Sequence, residues 1–478
     1  MRTKPLRTTI ALVLFAAAAP AAADTPLADR VAATLRAQGP GTRFGLVVAD
    51  MDGREIVAIR PDERFVPASN TKLFTTAAAF ATLGDVTGDD AEGGAAVRLD
   101  PRDGAPDVIL EGRGDARLSS AADCLRNCLG TLADAVAARV RVVHDVIGDD
   151  TLFPDERWSP GMSWNNIATR SGTGISALTL DDNEVALTVV PAGTHATIAP
   201  GYYRIDNRVS AGTKADLRFD RLPGRDRVRV EGKIGTDPEV LRLGVDDPAH
   251  HAAWVLRAML VARGVRVTGQ AGARHRPLSA GDDPASRGAA PAARPPRVAP
   301  LARLTAPPLI EDLTLTNKVS QNVHAELLLR RVGLVAGSGS IADGQAAVHA
   351  MLDTAGVERW RYDFADGSGM SSYNRVSPRG MVRFLRWTQA QPWGRAFRAT
   401  LPIGAVDGTL RRRFVGTPLA GKVFAKTGTL NAASALAGFM TAASGRTLVL
   451  TAYAADMPED GSASATVDAA LTLIAAEN

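Results

Sequence analysis

The pattern of apolar and polar positions predicts the first elements of the chain. A short amphipathic helix is predicted at 26–38. Two apolar runs, 44–50 and 55–59, flank a Gly-containing turn and predict a β-hairpin. The next apolar run, 73–83, follows directly on Ser69-Asn70-Thr71-Lys72 and predicts a helix. The hairpin should therefore deliver a serine to the first turn of a helix.

The middle of the chain differs in composition, and an Asp/Gly-rich sequence begins near residue 84. Short alternating runs between about residues 180 and 235 predict a small β-rich unit. Around this unit we expect strands at 107–111 and 142–147, helices at 116–140 and 248–264, and a loop at 148–153.

Longer helices return after residue 305, at 324–335 and 341–355, and a last helix is predicted at 463–476. Three strands lie between them, at 421–425, 434–442 and 447–454. Together with the N-terminal hairpin they would form one five-stranded antiparallel sheet with helices against it. The predicted fold class is therefore α/β (α+β), with residues 84–305 inserted between a first part, 24–83, and a second part, 306–478.

Residues 1–23 have the pattern of a secretory signal. Arg2, Lys4 and Arg7 precede an apolar core at 10–19, and Ala21-Ala22-Ala23 offers an A-x-A cleavage site. No later apolar run reaches the roughly 18 residues of a membrane span, so none is expected in the mature chain. Without the signal the formal net charge falls from +4 to +1, which argues against a nucleic-acid partner.

The two cysteines, Cys124 and Cys128, would lie in an oxidising compartment, where a disulfide is plausible. The alternative is a pair of buried thiols. A bond between residues four apart is awkward in a regular helix, so it would require the helix to break or end between them. No other Cys and no suitably spaced His lies near them, so no metal site is expected.

Ser69 and Lys72 stand one helical turn apart, on one face of the predicted helix. A serine hydroxyl needs an adjacent base to act as a nucleophile, and a buried lysine can be that base if its amine is partly neutral. Only seven of the 55 basic residues are Lys, and guanidinium cannot take this role. Taken alone, however, Ser-x-x-Lys is more often a helix start with a solvated lysine than a catalytic pair.

Two further motifs follow in order. Ser320-Gln321-Asn322 offers a hydroxyl and an amide ahead of a helix, although an ordinary helix cap has the same pattern. Lys426-Thr427-Gly428-Thr429 ends a predicted strand, and its glycine would let a substrate backbone approach closely. Its ordinary interpretation is a strand end with a solvated lysine. The ordered triple Ser-x-x-Lys, Ser-x-Asn and Lys-Thr-Gly is far more specific than any one of the motifs.

With this triple, the chain resembles the type-4 penicillin-binding proteins, which are periplasmic serine-type D-alanyl-D-alanine carboxypeptidases and endopeptidases. The resemblance extends over the mature chain and includes the segments 317–326, 366–370, 376–378, 407–409 and 425–430. It implies a β-lactamase/transpeptidase-like domain interrupted by a large inserted domain, 84–305, which carries a nested β-rich domain at about 180–235. About half of the chain separates the first two motifs, and simple β-lactamases lack such an insertion.

The resemblance implies a role for each motif residue. Ser69 would be the acylated nucleophile and Lys72 its general base. Ser320 would pass a proton to the leaving amine, Asn322 would position the substrate, and Lys426 would bind the substrate's terminal carboxylate. No cofactor is implied.

The resemblance also implies residues that bind substrate. The backbone N–H groups of Ser69 and Thr429 would form the oxyanion hole. The other implied contacts come from the third motif and from the inserted domain: Thr427, Gly428, Thr429, Leu430, Asp149 and Phe153.

One position departs from the family pattern. The family usually has an arginine after Asp-Gly-Ser-Gly-Leu-Ser that binds the diaminopimelate end of the stem peptide, and this chain has Ser372 there. Arg375 lies three residues further on and is a candidate replacement.

The expected function is therefore periplasmic cleavage of peptidoglycan stem peptides and cross-links ending in D-Ala-D-Ala, with β-lactam antibiotics as acylating inhibitors. Two alternatives remain at this stage. One is a β-lactamase-like hydrolase that deacylates penicillin quickly, and the other is a catalytically silent peptidoglycan-binding protein.

Overall fold

The computed structural model describes residues 25–191, 195–198, 201–296, 298–458 and 461–478. The predicted signal segment, 1–23, lies outside the described residues. The α-helices in chain order are α1 Leu27–Arg36, α2 Thr71–Thr82, α3 Leu129–Arg139, α4 Pro248–Ala262, α5 Pro284–Arg287, α6 Leu309–Lys318, α7 Asn322–Ala336, α8 Ile341–Thr354, α9 Pro378–Gln389, α10 Gly394–Ala399 and α11 Ser464–Ala476.

The strands fall into three groups along the chain. The first group, before the middle segment, is β1 Arg43–Asp50 and β2 Glu55–Ile59. The middle group is β3 Ala96–Asp100, β4 Asp107–Glu111, β5 Val142–Val143, β6 Val146–Pro154, β7 Glu184–Val190, β8 His195–Ile198, β9 Arg204–Ala211, β10 Asp216–Asp220, β11 Arg227–Ile234, β12 Glu239–Gly244, β13 Arg266–Val267, β14 Ala271–Arg276 and β15 Ala302–Arg303. The last group is β16 Tyr362–Asp363, β17 Arg375–Val376, β18 Val423–Leu430, β19 Ala433–Thr441 and β20 Thr447–Ala455.

The predicted five-stranded antiparallel sheet is confirmed, in the order β18-β19-β20-β1-β2. Successive side chains of β1 point to opposite faces of this sheet. Val47 and Ala49 pack in one core with helices α2 and α9, while Leu46 and Val48 pack in another with α1 and α11. Both faces are thus covered by helices, which explains why β1 is apolar almost throughout.

The segment between α2 and α6, called the inserted segment below, forms sheets of its own. A mixed five-stranded sheet has the order β14-β6-β4-β3-β15, and α3 and α4 share its core. Strands β7 to β12 form two three-stranded sheets, β10-β11-β9 and β12-β7-β8. Because β12 pairs with β7, the strands of this small unit continue past residue 235.

The predicted helix at 116–140 was wrong in its first half. Helix α3 begins only at Leu129, and Cys124 and Cys128 ahead of it are bonded as a disulfide. The chain before α3 includes Asn127 with a left-handed φ of 58° and Leu125 with 95% of its surface exposed. A left-handed residue interrupts a helix, and the exposed leucine has no apolar face to pack against.

The predicted loop at 148–153 was also wrong, because these residues belong to strand β6. Gly148 and Asp149 pair with Leu110 and Glu111 of β4 in a parallel ladder. The glycine is needed here for a different reason than a turn: a Cβ at Gly148 would lie 2.1 Å from the carbonyl oxygen of Ala249 on α4. A close helix–sheet contact, rather than a change of direction, accounts for the residue.

Among the described residues, no helix combines the length and apolar character required to cross a membrane.

Candidate active site

Ser69 lies in the short 3-10 turn Ala68–Asn70, which runs directly into α2. Ala68, the residue before it, has a φ of 45°, a left-handed conformation that alanine rarely adopts. The turn is anchored to the edge strand β18, since Asn70 Nδ2 donates a hydrogen bond of 2.7 Å to the carbonyl oxygen of Lys426. The first and third motifs are therefore in direct contact.

Gly428 is required by this contact. A Cβ at position 428 would lie 2.6 Å from the carbonyl oxygen of Pro67 and 3.0 Å from the Ser69 backbone nitrogen. Any side chain there would push β18 away from the nucleophile turn. The glycine of the Lys-Thr-Gly motif thus keeps the strand beside Ser69.

Lys72 is fully buried beneath Ser69. Its Nζ donates to Ser69 Oγ at 3.1 Å, to Asn322 Oδ1 at 2.7 Å and to the carbonyl oxygen of Ser368 at 2.5 Å. The three acceptors come from different parts of the chain, and together they fix the amine next to the hydroxyl. Hydrogen bonding of a nucleophile to a positioned amine is the geometry that proton transfer requires.

Burial lowers the pKa of Lys72 from 10.5 to about 8, although the nearby carboxylates of Asp366 and Glu326 favour its charged form. Burial also lowers the pKa of Lys426 well below its ordinary value, and the charge of Lys72 adds to this. Both amines are therefore easier to deprotonate than a solvated lysine.

Ser320 binds the second lysine. Lys426 Nζ donates to Ser320 Oγ at 2.9 Å and to the carbonyl oxygen of Thr427 at 2.8 Å. Ser320 has a left-handed φ of 66° and precedes α7, whose first residue is Asn322. The structure thus brings the five predicted catalytic side chains together in two groups. Ser69 and Asn322 are bonded to Lys72, and Ser320 is bonded to Lys426. The bond from Asn70 to the Lys426 carbonyl oxygen links the two groups.

The third-motif residues beyond Lys426 follow β18, the edge strand of the sheet. Thr427 Oγ1 donates to Thr409 Oγ1 at 2.7 Å. Thr429 is exposed, and Leu430, the last residue of the strand, is partly exposed. The edge of β18 opposite β19 is bonded to residues 402–404 at Val423 and Ala425, and further along it borders the nucleophile turn.

Two predicted substrate contacts lie elsewhere. Asp149 accepts hydrogen bonds from Thr151 Oγ1 at 2.6 Å and from Arg274 Nη1 at 3.3 Å. Phe153 is only 4% exposed and packs in a small core with Val323 and Leu327 of α7. The structure does not bring either side chain to the group around Ser69.

Ser372 and Arg375 both donate hydrogen bonds to backbone carbonyl oxygens. The Ser372 amide and hydroxyl both donate to the carbonyl oxygen of Gly161 at 2.9 Å. Arg375 Nη1 donates to the carbonyl oxygens of Ser372 at 2.6 Å and Asn374 at 2.8 Å. The guanidinium of Arg375 is therefore used within its own loop.

Several contributors to the site were missed by sequence reasoning. Glu326 and Asp366 are buried acids that hold the loop carrying Ser368, the third acceptor of Lys72. Glu326 Oε1 accepts from the backbone nitrogens of Gly367 and Ser368 at 3.0 and 2.8 Å, and burial, reinforced by Asp366, raises its pKa to about 7. In the sequence, Glu326 and Asp366 stand out only as parts of the family resemblance, in segments 317–326 and 366–370, because a carbonyl ligand such as that of Ser368 has no side-chain signature.

A small recess beside Asn322 was missed as well. Trp158, Met162 and Ser171 of the inserted segment line it together with Met370. Trp158 Nε1 donates to the carbonyl oxygen of Gly172 at 2.9 Å, which fixes the indole. Two tryptophans in an irregular Gly/Pro/Asn segment were the available sequence signal.

One group of side chains among the described residues could in principle hold a metal ion: Asp107, His144 and Asp145. It lies in the inserted segment, and Arg102 forms ion pairs with Asp107 and Asp145 there.

Comparison with known proteins adds independent information. A model of the D-Ala-D-Ala carboxypeptidase 3 (S13) family matches residues 27–478. The chain is 32% identical over 425 residues to a D-alanyl-D-alanine carboxypeptidase from Actinomadura sp. (strain R39), covering 84% of this chain and 75% of that protein. It is 24% identical over 427 residues to the D-alanyl-D-alanine carboxypeptidase DacB of Haemophilus influenzae, covering 85% and 84% of the two chains.

The fold is similar to that of penicillin binding protein 4 from Haemophilus influenzae, with a TM-score of 0.75, 22% identity and coverage of 93% of this chain and 97% of that chain. A structure of the same Haemophilus protein complexed with a β-lactam has a TM-score of 0.70 and 21% identity, and covers 92% of this chain and 97% of that one.

Proposed function

The chain belongs to the D-Ala-D-Ala carboxypeptidase 3 (S13) family and is a serine-type D-alanyl-D-alanine carboxypeptidase, and we propose that it cleaves peptidoglycan stem peptides through an acyl-enzyme on Ser69. The resemblance to the type-4 penicillin-binding proteins is confirmed by the family match. The observation that carries the proposed mechanism is the buried amine of Lys72, held 3.1 Å from Ser69 Oγ with its pKa lowered to about 8.

Acylation begins with Lys72 in its neutral form. The amine accepts the Ser69 proton while Oγ forms a bond to the carbonyl carbon of the penultimate D-alanine. The carbonyl oxygen takes up the electron pair, and the backbone N–H groups of Ser69 and Thr429 stabilise the resulting oxyanion. This arrangement is a Ser-Lys variant of the catalytic triad.

The tetrahedral intermediate then breaks at the peptide bond. The nitrogen of the terminal D-alanine leaves with the proton of the Ser320 hydroxyl, and Lys426, 2.9 Å from Ser320 Oγ, reprotonates the serine. The proton that Lys72 took from Ser69 then restores the charge of Lys426, so the net transfer is from Ser69 to the leaving amine and Lys72 is neutral again. Water later attacks the ester on Ser69 and releases the shortened peptide, with Lys72 again acting as the base.

Substrate binding uses strand β18, which also carries Lys426. The ammonium of Lys426 and the hydroxyl of Thr427 bind the terminal carboxylate, and that negative charge favours the charged form of Lys426 while Lys72 is neutral. Asn322 exchanges its contact with Ser171 for the substrate amide. Leu430, the last residue of β18, provides a further contact to the substrate. Asp149 and Phe153 of the inserted domain are assigned to the distal part of the stem peptide.

The chain organisation follows the same proposal. Residues 24–83 and 306–478 form the transpeptidase-like domain, and 84–305 form the inserted domain with its nested β-rich unit. The signal pattern at 1–23 directs the protein to the periplasm, where both peptidoglycan and oxidising conditions for the Cys124–Cys128 disulfide are present.

A fluorescent penicillin separates this proposal from its two alternatives. The proposed enzyme gives a lasting label, because its deacylation is slow. A β-lactamase-like hydrolase gives a transient label with continuous antibiotic turnover, and a silent binding protein gives none. Release of D-alanine from a peptide ending in D-Ala-D-Ala, measured in parallel, must disappear as the label appears, and cleavage of a cross-linked dimer tests the endopeptidase activity.

A further inference from the structure

One carboxylate from the inserted segment contacts the residues on both sides of Asn322. Asp182 Oδ2 accepts a hydrogen bond of 2.9 Å from Gln321 Nε2, and its Oδ1 lies 2.9 Å from His324 Nε2. The other ring nitrogen of His324 lies 3.1 Å from Asp312 on α6. With a side-chain exposure of 2%, His324 is thus enclosed between two acids from different parts of the fold.

The turn that carries Asp182 is held in a conformation that non-glycine residues rarely adopt. Asp181, Asp182 and Asn183 have successive φ values of 50°, 57° and 53°. Such conformations persist only where the surroundings determine them. Asn183 Nδ2 donates to the carbonyl oxygen of Gly174 at 2.9 Å, and Asp181 Oδ1 accepts from the Ser120 backbone nitrogen at 2.9 Å. The turn is therefore fixed from both sides and presents the carboxylate of Asp182 to α7.

A continuous set of hydrogen bonds leads from this carboxylate to the general base. Gln321, which donates to Asp182, also accepts from the Asn322 backbone nitrogen at 2.9 Å. Asn322 in turn accepts from Lys72 Nζ at 2.7 Å. The inserted segment contacts Asn322 a second time, since its Nδ2 donates to the carbonyl oxygen of Ser171 at 2.8 Å.

We propose that Asp182 is a positioning residue for acylation, which acts by binding Gln321 and His324 and so holds Asn322 against Lys72. The proposal rests on the proposed function of Ser69 and Lys72. On this proposal the inserted segment takes part in the chemistry of the transpeptidase-like domain, because Asp182 of the inserted segment holds the general base, Lys72, in position. A purely structural role would instead affect only how firmly the two parts of the chain hold together.

The substitution Asp182→Asn tests this with little disturbance of the turn, because asparagine tolerates a left-handed φ. The amide places an N–H group against one of the two donors, so one of the bonds to α7 must be lost. The matched control is Asp181→Asn, which makes the same change in the same turn at a side chain that hydrogen-bonds to Ser119 and Ser120 rather than to Gln321 or His324. The amide keeps an oxygen that can accept from the Ser120 backbone nitrogen, so the turn is preserved.

The readouts are the rate constant for acylation by benzylpenicillin, kcat and KM for a D-Ala-D-Ala peptide, and the unfolding temperature. We expect Asp182→Asn to lower the acylation rate and kcat by about tenfold with little change in KM, because a small displacement of the base is costly. Asp181→Asn should keep the parent rate. Equal acylation rates in Asp182→Asn and the parent, or equal losses in the two variants, would overturn the proposal.

Gln321→Ala provides a second test that does not depend on the buried charges, because it leaves the pair of Asp182 and His324 intact. It should slow acylation as Asp182→Asn does, and in the double variant the two effects should not add, since both act through one path. Additive effects would contradict that path. If the parent itself is not acylated at Ser69, the proposed function fails first, and the label on the parent enzyme distinguishes the two failures.

Discussion

The charge of Glu326 should contribute, after that of Asp366, to the lower pH limit of acylation through its effect on Lys72. Glu326 Oε1 accepts hydrogen bonds from the backbone nitrogens of Gly367 and Ser368, and the Ser368 carbonyl oxygen accepts from Lys72 Nζ. Glutamine keeps an acceptor oxygen of the same shape. The substitution Glu326→Gln therefore removes a negative charge near the base and leaves the hydrogen bonds of the loop in place.

The size of the effect follows from the two pKa values. Burial lowers the pKa of Lys72 to about 8 while Glu326 and Asp366 raise it, and the pKa of Glu326 itself is raised to about 7. Above pH 7 the ionised Glu326 thus opposes deprotonation of Lys72. Its loss should move the acidic limb of the acylation profile to lower pH by about one pH unit. Because Glu326 is itself only about half ionised at pH 7, acylation at that pH should become about twofold faster, short of the roughly fivefold gain of a full one-unit shift.

The assay is the acylation rate constant with benzylpenicillin between pH 5.5 and pH 9.5. Asp343→Asn is a suitable control, because Asp343 is a buried acid on the neighbouring helix α8 that binds Arg287 and Ser338 instead. The control should lower stability without moving the limb. An acidic limb that stays in place or moves to higher pH in Glu326→Gln would show that Lys72 is not the group whose deprotonation limits acylation.

Two further outcomes are expected. Asp182 and Asp312 raise the pKa of His324 from 6.5 to about 9 against its burial, so their stabilisation is complete below pH 6.5 and is lost as the pH rises through about 9. The parent should therefore be more stable than His324→Gln, and this difference in the free energy of unfolding should be about 3 kcal/mol larger at pH 6 than at pH 10. Urea titrations at the two pH values measure it, and an equal difference at both would contradict a charged His324. Restoring a guanidinium with Ser372→Arg should lower KM about tenfold for a stem peptide with a free diaminopimelate carboxylate, a contact of about 1.5–3 kcal/mol. Arg375→Ala should have a smaller effect, because Arg375 binds its own loop; a large loss in Arg375→Ala with no gain in Ser372→Arg would show instead that Arg375 binds the substrate.

The parts of the site that could be predicted from the sequence are those whose residues form short motifs with fixed local spacing. Ser69 and Lys72 are three residues apart, so a helix alone brings them together, and the ordered motifs of Ser320 and Lys426 indicated the rest of the cleft. The five-stranded sheet was predictable for a similar reason, because its strands are apolar runs bounded by turns.

The remaining contacts depend on residues far apart in the chain. The pairing of Asp182 with His324 arises only when the inserted segment meets α7, and the carbonyl ligand from Ser368 only when the loop 366–370 meets α2. Gly148 was misread because a glycine beside two aspartates is also the signal of a turn, and only the neighbouring helix α4 shows that it is a close contact. Tertiary packing decided each of these cases.

The most direct test of the central claim is the mass of the intact protein after benzylpenicillin treatment, with the adduct located by peptide digestion. The parent should gain one penicilloyl group on the peptide that contains Ser69, and Ser69→Ala should gain none while keeping its unfolding temperature. Lys72→Arg should also remain unlabelled, because guanidinium cannot accept the serine proton. An adduct on any residue other than Ser69, or labelling of Lys72→Arg at the parent rate, would contradict the account.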